Sequence, residues 1–199
     1  GCLPDAYPGY QNIGKSTLDK FSNSWGGRAL PKENGLVITE MVKAIDDGRI
    51  KAMYVTGENP LLSEPDLNHA EETFRKLDFL IVQDIFLHET AQIADVVLPA
   101  TSFAEKDGTF TNSERRVQRV RKLINPIGQS RPDWEIICDL ARRISIKNKL
   151  RTEDQFNYVN TSEIWDEMAS LTPIISGITY ERLEEGGIQW PCPTIDHPG

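Results

Sequence analysis

Four consecutive apolar residues, Phe79-Leu80-Ile81-Val82, followed by Gln83-Asp84, constrain this chain more than any other segment. A strand that is apolar at every position, instead of at alternate ones, calls for cover on both faces. Parallel sheets wrapped by crossover helices provide that cover. The flanking sequence agrees. Ile50–Thr56 reads as a strand closed by Gly57-Glu58-Asn59-Pro60. A helix then runs to about Leu77, capped by Ser63 or Asp66, with Leu67, Ala70, Phe74 and Leu77 at helical spacing. After the apolar strand, a short helix around Glu89–Ile93 leads to a third strand, Asp95–Leu98. This alternation predicts an α/β fold, a parallel Rossmann-like sheet with flanking helices.

The linear organisation divides in three. Residues 1–35 carry Pro4, Pro8, Gly9, Gly14, Gly26, Gly27, Pro31 and Gly35, which predicts an irregular segment packing on domains outside the chain. Residues 36–150 form the α/β domain, and 151–199 a helical extension toward a further domain. Within these, Thr39 is placed to cap a helix whose inner face is Met41, Val42, Ala44 and Ile45, and which Gly48 ends. Val117–Leu123 reads as an edge strand or hairpin arm. Asp133–Ile144 reads as a helix with Trp134, Ile137, Leu140, Ala141 and Ile144 in its stripe, and Ser162–Leu171 and Tyr180–Glu185 as two more. The chain starts at Gly1-Cys2 and stops at His197-Pro198-Gly199, as expected of a piece cut from a longer polypeptide.

Length and charge narrow the functions available. A chain of 199 residues buries roughly 70% of its unfolded surface and needs no staple. A net charge of -8 and a pI near 5.0 disfavour nucleic-acid or membrane-surface binding, which draws on summed positive potential. Cys2, Cys138 and Cys192 are too scattered for a disulfide framework or a cluster site, and Cys138 reads as a core residue. No apolar run approaches a membrane span, and the sequence reads as having no signal peptide, so the expected setting is cytoplasmic and reducing.

Polar residues gather just past the strand ends, where open parallel sheets bind ligands. Gly57 allows close backbone approach, and Glu58 and Asn59 offer acceptors and donors, although the same residues build ordinary turns. The carboxylate of Gln83-Asp84 matches the adjacent N1–H and N2–H donors of guanine, which adenine lacks; a turn-capping Asp is the alternative. Lys106 supplies a point charge for phosphate, Gly108 a flexible backbone and Asn112 an amide, against the reading of a solvated loop. Glu114-Arg115-Arg116 reads first as a surface ion-pair run. His88 lacks a base–nucleophile partner and fits a supporting role. The chain contains no Ser/His/Asp triad, HExxH, Walker loop or GxGxxG, so no catalytic residue and no metal ligand is assigned.

Taken in order, GENP, LDFLIVQDIFLHETAQIADVVLPA, EKDGTFTNSERRVQ and RPDWEIICDLARRI resemble molybdopterin oxidoreductases, nearest to the alpha (catalytic) subunits of formate dehydrogenases. LPDAYPGYQNI and SEIWDEMASLTPIISGITYERLEEGGIQWPC extend the resemblance over almost the whole chain. It implies a bis(molybdopterin guanine dinucleotide) cofactor carrying molybdenum or tungsten, formate oxidised to CO2, and electrons leaving through iron–sulfur clusters. By motif, cofactor contacts fall on Gly57, Glu58, Asn59, Gln83, Asp84, Lys106 and Asp133. The metal-ligating Cys or selenocysteine, the ligands of a 4Fe-4S cluster and the pterin-covering domain are outside this sequence. The implied partners are therefore the remaining domains of the same subunit and iron–sulfur or electron-accepting subunits. Where relatives carry Thr-Glu-Thr-Ala this chain has His88-Glu89-Thr90-Ala91, so the resemblance gives His88 no role. Rival readings are a nitrate reductase, the large subunit of an NADH–quinone oxidoreductase, or a scaffold domain that has lost the cofactor.

Overall fold

A computed structural model describes residues 4–27, 29–63, 67–148 and 156–199. In chain order its main elements are β1 (Ala6–Tyr7), β2 (Gln11–Asn12), α1 (Lys15–Ser24), α2 (Ile38–Asp46), β3 (Ala52–Thr56), α3 (Pro60–Ser63), α4 (Leu67–Phe74), β4 (Phe79–Asp84), α5 (Glu89–Gln92) and β5 (Val96–Pro99). There follow β6 (Gly108–Thr111), β7 (Arg116–Val120), α6 (Asp133–Lys147), α7 (Thr161–Leu171), α8 (Tyr180–Glu185) and β8 (Ile188–Gln189). The chain divides into two compact units. One comprises Leu36–Glu105 and Ile124–Ile136, the other Gly1–Gly35, Lys106–Leu123 and Ile137–Gly199.

The first unit is built on a parallel sheet of order β3-β4-β5, in line with the α/β expectation. Thr56 pairs with Gln83, Gln83 with Leu98 and Asp84 with Pro99, so the three strands end nearly level. Leu80 and Val82 face a core of Ile45, Val55, Leu61, Ala70 and Phe74. Each such side chain contributes about 1.5–3 kcal/mol by leaving water. The opposite face is only partly covered: Phe79 is 42% exposed, and Tyr54 and Val96 are exposed as well. Uniform hydrophobicity predicts cover on both faces but does not say which polypeptide supplies it.

Two helix starts differ from expectation. The N-cap of α2 is Val37, whose backbone N–H donates to Glu40 at 3.1 Å, and Thr39 lies inside the helix. A valine side chain accepts nothing, so the reciprocal Glu40 bond does the capping alone. The helix expected to run to about Leu77 is α4, but Ser63, one of its two expected caps, instead ends the additional short helix α3, which the Asn59 carbonyl opens by accepting from the Leu62 and Ser63 N–H groups. Asp66, the alternative cap, lies outside the described residues.

Beyond β5 the chain turns back along the sheet. Ala100 forms a parallel bridge with Arg131, whose N–H donates to the Pro99 carbonyl at 3.1 Å. The buried Glu105 carboxylate accepts from the Ser102 and Ile127 N–H groups, each at 2.8 Å. These bonds pin the returning segment and set Asp133, the first residue of α6, past the strand ends.

In the second unit β7 is one arm of a hairpin with β6, as one of the two expectations had it, but it is the middle strand of an antiparallel sheet of order β6-β7-β8 and not an edge. Its second neighbour, β8, arrives from so far along the chain that local pattern gives no hint of it. The core gathers Val117, Trp165, Ala169, Ile178, Leu183, Ile188 and Cys192. Asn160 and Thr179 cap α7 and α8, accepting from Glu163 and Arg182 N–H groups at 3.1 and 3.3 Å. The N-terminal segment is less irregular than its composition suggests: α1 carries Phe21 and leads to Trp25, and both rings pack with Tyr7. The stripe of α6 is rotated from expectation. Ile136, Cys138 and Ser145 are buried, while Ile137 and Ile144 are exposed. Among the described residues no helix is long and apolar enough to cross a membrane.

Candidate functional site

The level carboxyl ends of β3, β4 and β5 are where the polar residues of the first unit meet. Gly57 leaves β3 with φ +66°, a left-handed conformation, and its N–H donates to the Gln83 carbonyl at 2.9 Å. Such a turn keeps the backbone against β4 and leaves Glu58 exposed beside it. Asn59 is committed locally. Its Oδ1 accepts from the Thr90 hydroxyl at 2.7 Å and from the Thr90 N–H at 3.3 Å, and its Nδ2 donates to Glu89 at 2.7 Å. The buried Thr90 hydroxyl accepts in turn from Leu61 N–H at 3.1 Å. The Asn59 amide, helped by the Glu89 backbone N–H, holds the Glu89 carboxyl below its ordinary range.

Gln83 and Asp133, fifty positions apart, are joined directly: Gln83 Nε2 donates to Asp133 Oδ1 at 2.8 Å. The Tyr54 hydroxyl donates to Gln83 Oε1, completing a chain of three side chains across the sheet end. Gln83 is fully buried, so its amide orders this network. Burial pushes the Tyr54 hydroxyl above its ordinary value; the Thr56 side chain opposes that shift and the Asp133 charge adds to it.

Asp84 is different. Its side chain is only 10% exposed, its Oδ1 accepts from Phe86 N–H at 3.0 Å, and its Oδ2 lies 3.4 Å from His88 Nε2. A carboxylate has about four lone-pair sites, so both oxygens keep accepting capacity. His88 caps α5, its Nδ1 accepting from Ala91 N–H at 3.3 Å. His88 Nε2 and the Thr101 hydroxyl just past β5 are buried without a hydrogen-bond partner of normal geometry. Unbonded buried polar atoms cost about 1–3 kcal/mol each.

The other sequence candidates belong to the second unit. Lys106 leads into β6 and is half-buried. Gly108 takes no left-handed conformation and is a strand residue paired with Val120. Asn112 closes the β6–β7 turn, its Oδ1 accepting from Glu114 and Arg116 N–H groups at 3.0 Å each. Arg115 stacks over Trp190, Arg116 donates to the Gly187 carbonyl, and Arg119 and Arg121 pair with Glu184. Among the described residues no group of three or more His, Cys, Asp or Glu is placed to hold a metal ion. Sequence reading missed Tyr54, Thr90 and Thr101. Their signal was faint: a hydroxyl two residues from a strand end for Tyr54, just beyond one for Thr101, and inside the short helix α5 for Thr90.

Residues 6–143 match the family model described as molybdopterin oxidoreductase. This chain belongs to the molybdopterin oxidoreductase family. Membership implies a molybdopterin cofactor, and the polar strand ends have the chemistry to hold a ligand of that kind. The chain is 48% identical over 200 residues to the F420-dependent formate dehydrogenase subunit alpha of Methanocaldococcus jannaschii, covering 100% of this chain and 28% of that protein. It is 45% identical over 199 residues to the F420-dependent formate dehydrogenase 2 subunit alpha of Methanococcus maripaludis, with the same coverage. With formate dehydrogenase H of Escherichia coli it shares 41% identity over 194 residues, 96% of this chain and 26% of that one. The chain thus spans little more than a quarter of these family members. Among solved structures, acetylene hydratase from Pelobacter acetylenicus has the same fold, with a TM-score of 0.58 at 21% identity over 74% of this chain and 20% of its own.

Proposed function

We propose that this chain is the part of a formate dehydrogenase alpha subunit that binds the guanine-dinucleotide end of a bis-molybdopterin cofactor. Asp84 carries the reading: a nearly buried carboxylate at a parallel strand end, held on one oxygen by Phe86 N–H and left able to accept on both. In this role it accepts the N1–H and N2–H of guanine. Gly57 gives the dinucleotide close backbone approach, with Glu58 and Asn59 beside it. Gln83 and Asp133 brace the pocket through their mutual bond. For Lys106, which lies in the second unit, the family resemblance alone supports a phosphate-neutralising role. Family membership and the names of the relatives support the assignment.

When bound, the pterin's molybdenum or tungsten supplies the redox centre at which the parent enzyme oxidises formate to CO2. A 4Fe-4S cluster and partner subunits would accept the electrons, in a cytoplasmic, reducing setting. The present residues bind and orient the cofactor and do not supply the metal ligand, so the segment by itself is inactive. Two charge-assisted bonds at about 1.5–3 kcal/mol each make Asp84 worth at least about a hundredfold in guanine affinity. The test is Asp84→Ala in the full-length subunit, with cofactor content measured by mass spectrometry and metal analysis. Depleted guanine dinucleotide in a folded protein is expected, and full occupancy refutes the role.

A further inference from the structure

We propose that His88 positions the Asp84 carboxylate for a base presenting two adjacent N–H donors, and so sets the preference for guanine over bases with one. The inference rests on the guanine reading of Asp84 and adds to it a residue that the family resemblance leaves without a role. Its ground is the geometry of one imidazole. His88 Nδ1 accepts from Ala91 N–H, and an N–H donates only to an unprotonated ring nitrogen. In the neutral ring the proton therefore sits on Nε2. That nitrogen is buried, lies 3.4 Å from Asp84 Oδ2 and makes no hydrogen bond of normal geometry.

The carboxylate is thus gripped from one side and flanked on the other. Phe86 N–H occupies a lone pair of Oδ1 at 3.0 Å, while His88 stands beside Oδ2 with a donor that a small rotation of Asp84 would engage. With both protein donors engaged, one accepting direction is left on each oxygen. Two parallel acceptors fit the N1–H and N2–H edge of guanine, whereas a base with a single donor uses one of them. Without His88 the carboxylate keeps one anchor and regains rotational freedom. The second guanine bond, which needs both oxygens aligned, suffers more than the first.

Two substitutions separate this role from the capping of α5. In His88→Asn the side-chain oxygen falls where Nδ1 stood, so the helix stays capped, but nothing reaches Asp84. In His88→Gln the amide nitrogen falls where Nε2 stood, so the donor is retained and the cap is lost. Calorimetric titration of the protein with GMP and with IMP, which lacks the N2 amine, reads the preference; thermal melting reads the cap. His88→Asn is expected to lower the GMP-to-IMP affinity ratio about threefold to tenfold at unchanged melting temperature. His88→Gln is expected to keep the ratio and melt earlier. A wild-type ratio in His88→Asn, or a collapsed ratio in His88→Gln, overturns the positioning role while leaving the guanine reading intact. Asp84→Ala tests that reading separately: if it keeps the wild-type GMP affinity and ratio, or if wild-type protein shows no preference for GMP, both proposals fall.

Discussion

Replacing Gln83 by Met removes a polar hub while nearly keeping its length and volume. Gln83 is fully buried and bonds both Tyr54 and Asp133. The bond to the Asp133 carboxylate is charge-assisted, worth about 1.5–3 kcal/mol, and the Tyr54 bond about 0.5–1.5 kcal/mol. Tyr54 is 38% exposed and its hydroxyl can turn to water, and Asp133 opens α6, where the free N–H groups of the first turn suit a carboxylate. Both effects place the net loss near the lower end, about 2–3 kcal/mol. For a chain of this length that is about 5–10 °C in melting temperature. Urea unfolding followed by circular dichroism should show a lower midpoint at unchanged slope. A cycle of Tyr54→Phe, Gln83→Met and the double variant should return a coupling of about 0.5–1.5 kcal/mol. A loss below about 0.5 kcal/mol in Gln83→Met, or strict additivity in the cycle, refutes the network.

Three further outcomes follow from geometry. A Cβ on Gly177 would stand 2.0 Å from the Thr194 carbonyl oxygen, a backbone atom that cannot step aside. Gly177→Ala should therefore cost about 3 kcal/mol by calorimetry, and an unchanged melting temperature would contradict the packing. Gly57→Ala meets nothing within 4 Å, so only its φ of +66° opposes it, at about 1–2 kcal/mol, with Gly57→Asn milder when both are compared by urea titration. Lys76 and Thr73, bonding Asp46 at 2.7 and 2.8 Å, hold its carboxyl below the ordinary value of 3.8, with smaller help from nearby His69. A lowered folded value stabilises above the unfolded one and is lost as pH falls through it, so Asp46→Asn should flatten the acid limb of stability between about pH 5 and pH 2.

The parallel sheet was legible because it is written locally. The apolar run of β4, the turn at Gly57 and the helical spacing of Ala70 and Phe74 each lie within a few residues of the structure they specify. Long-range partners were not. Nothing near Val117 announces that Ile188 will pair with it, and nothing near Gln83 names Asp133. Helix α6 shows a different limit. Ile137 and Ile144 share a helical period with Cys138 and Ser145 shifted by one residue, and periodicity alone does not say whether bulky or small residues face inward. The polar residues at the strand ends could be listed from sequence, but not sorted. Asn112 proved committed to its own turn and Asn59 to Glu89 and Thr90 on α5, whereas Asp84 kept accepting capacity and His88 acquired a neighbour.

The clasp between Asn59 and Thr90 ties the exit of the first parallel strand to the short helix after the second. Neither connection can be lengthened or shortened by itself without dragging on the other. Anyone transplanting this fold's specificity into a related scaffold should exchange both stretches together, as a matched pair, and not singly.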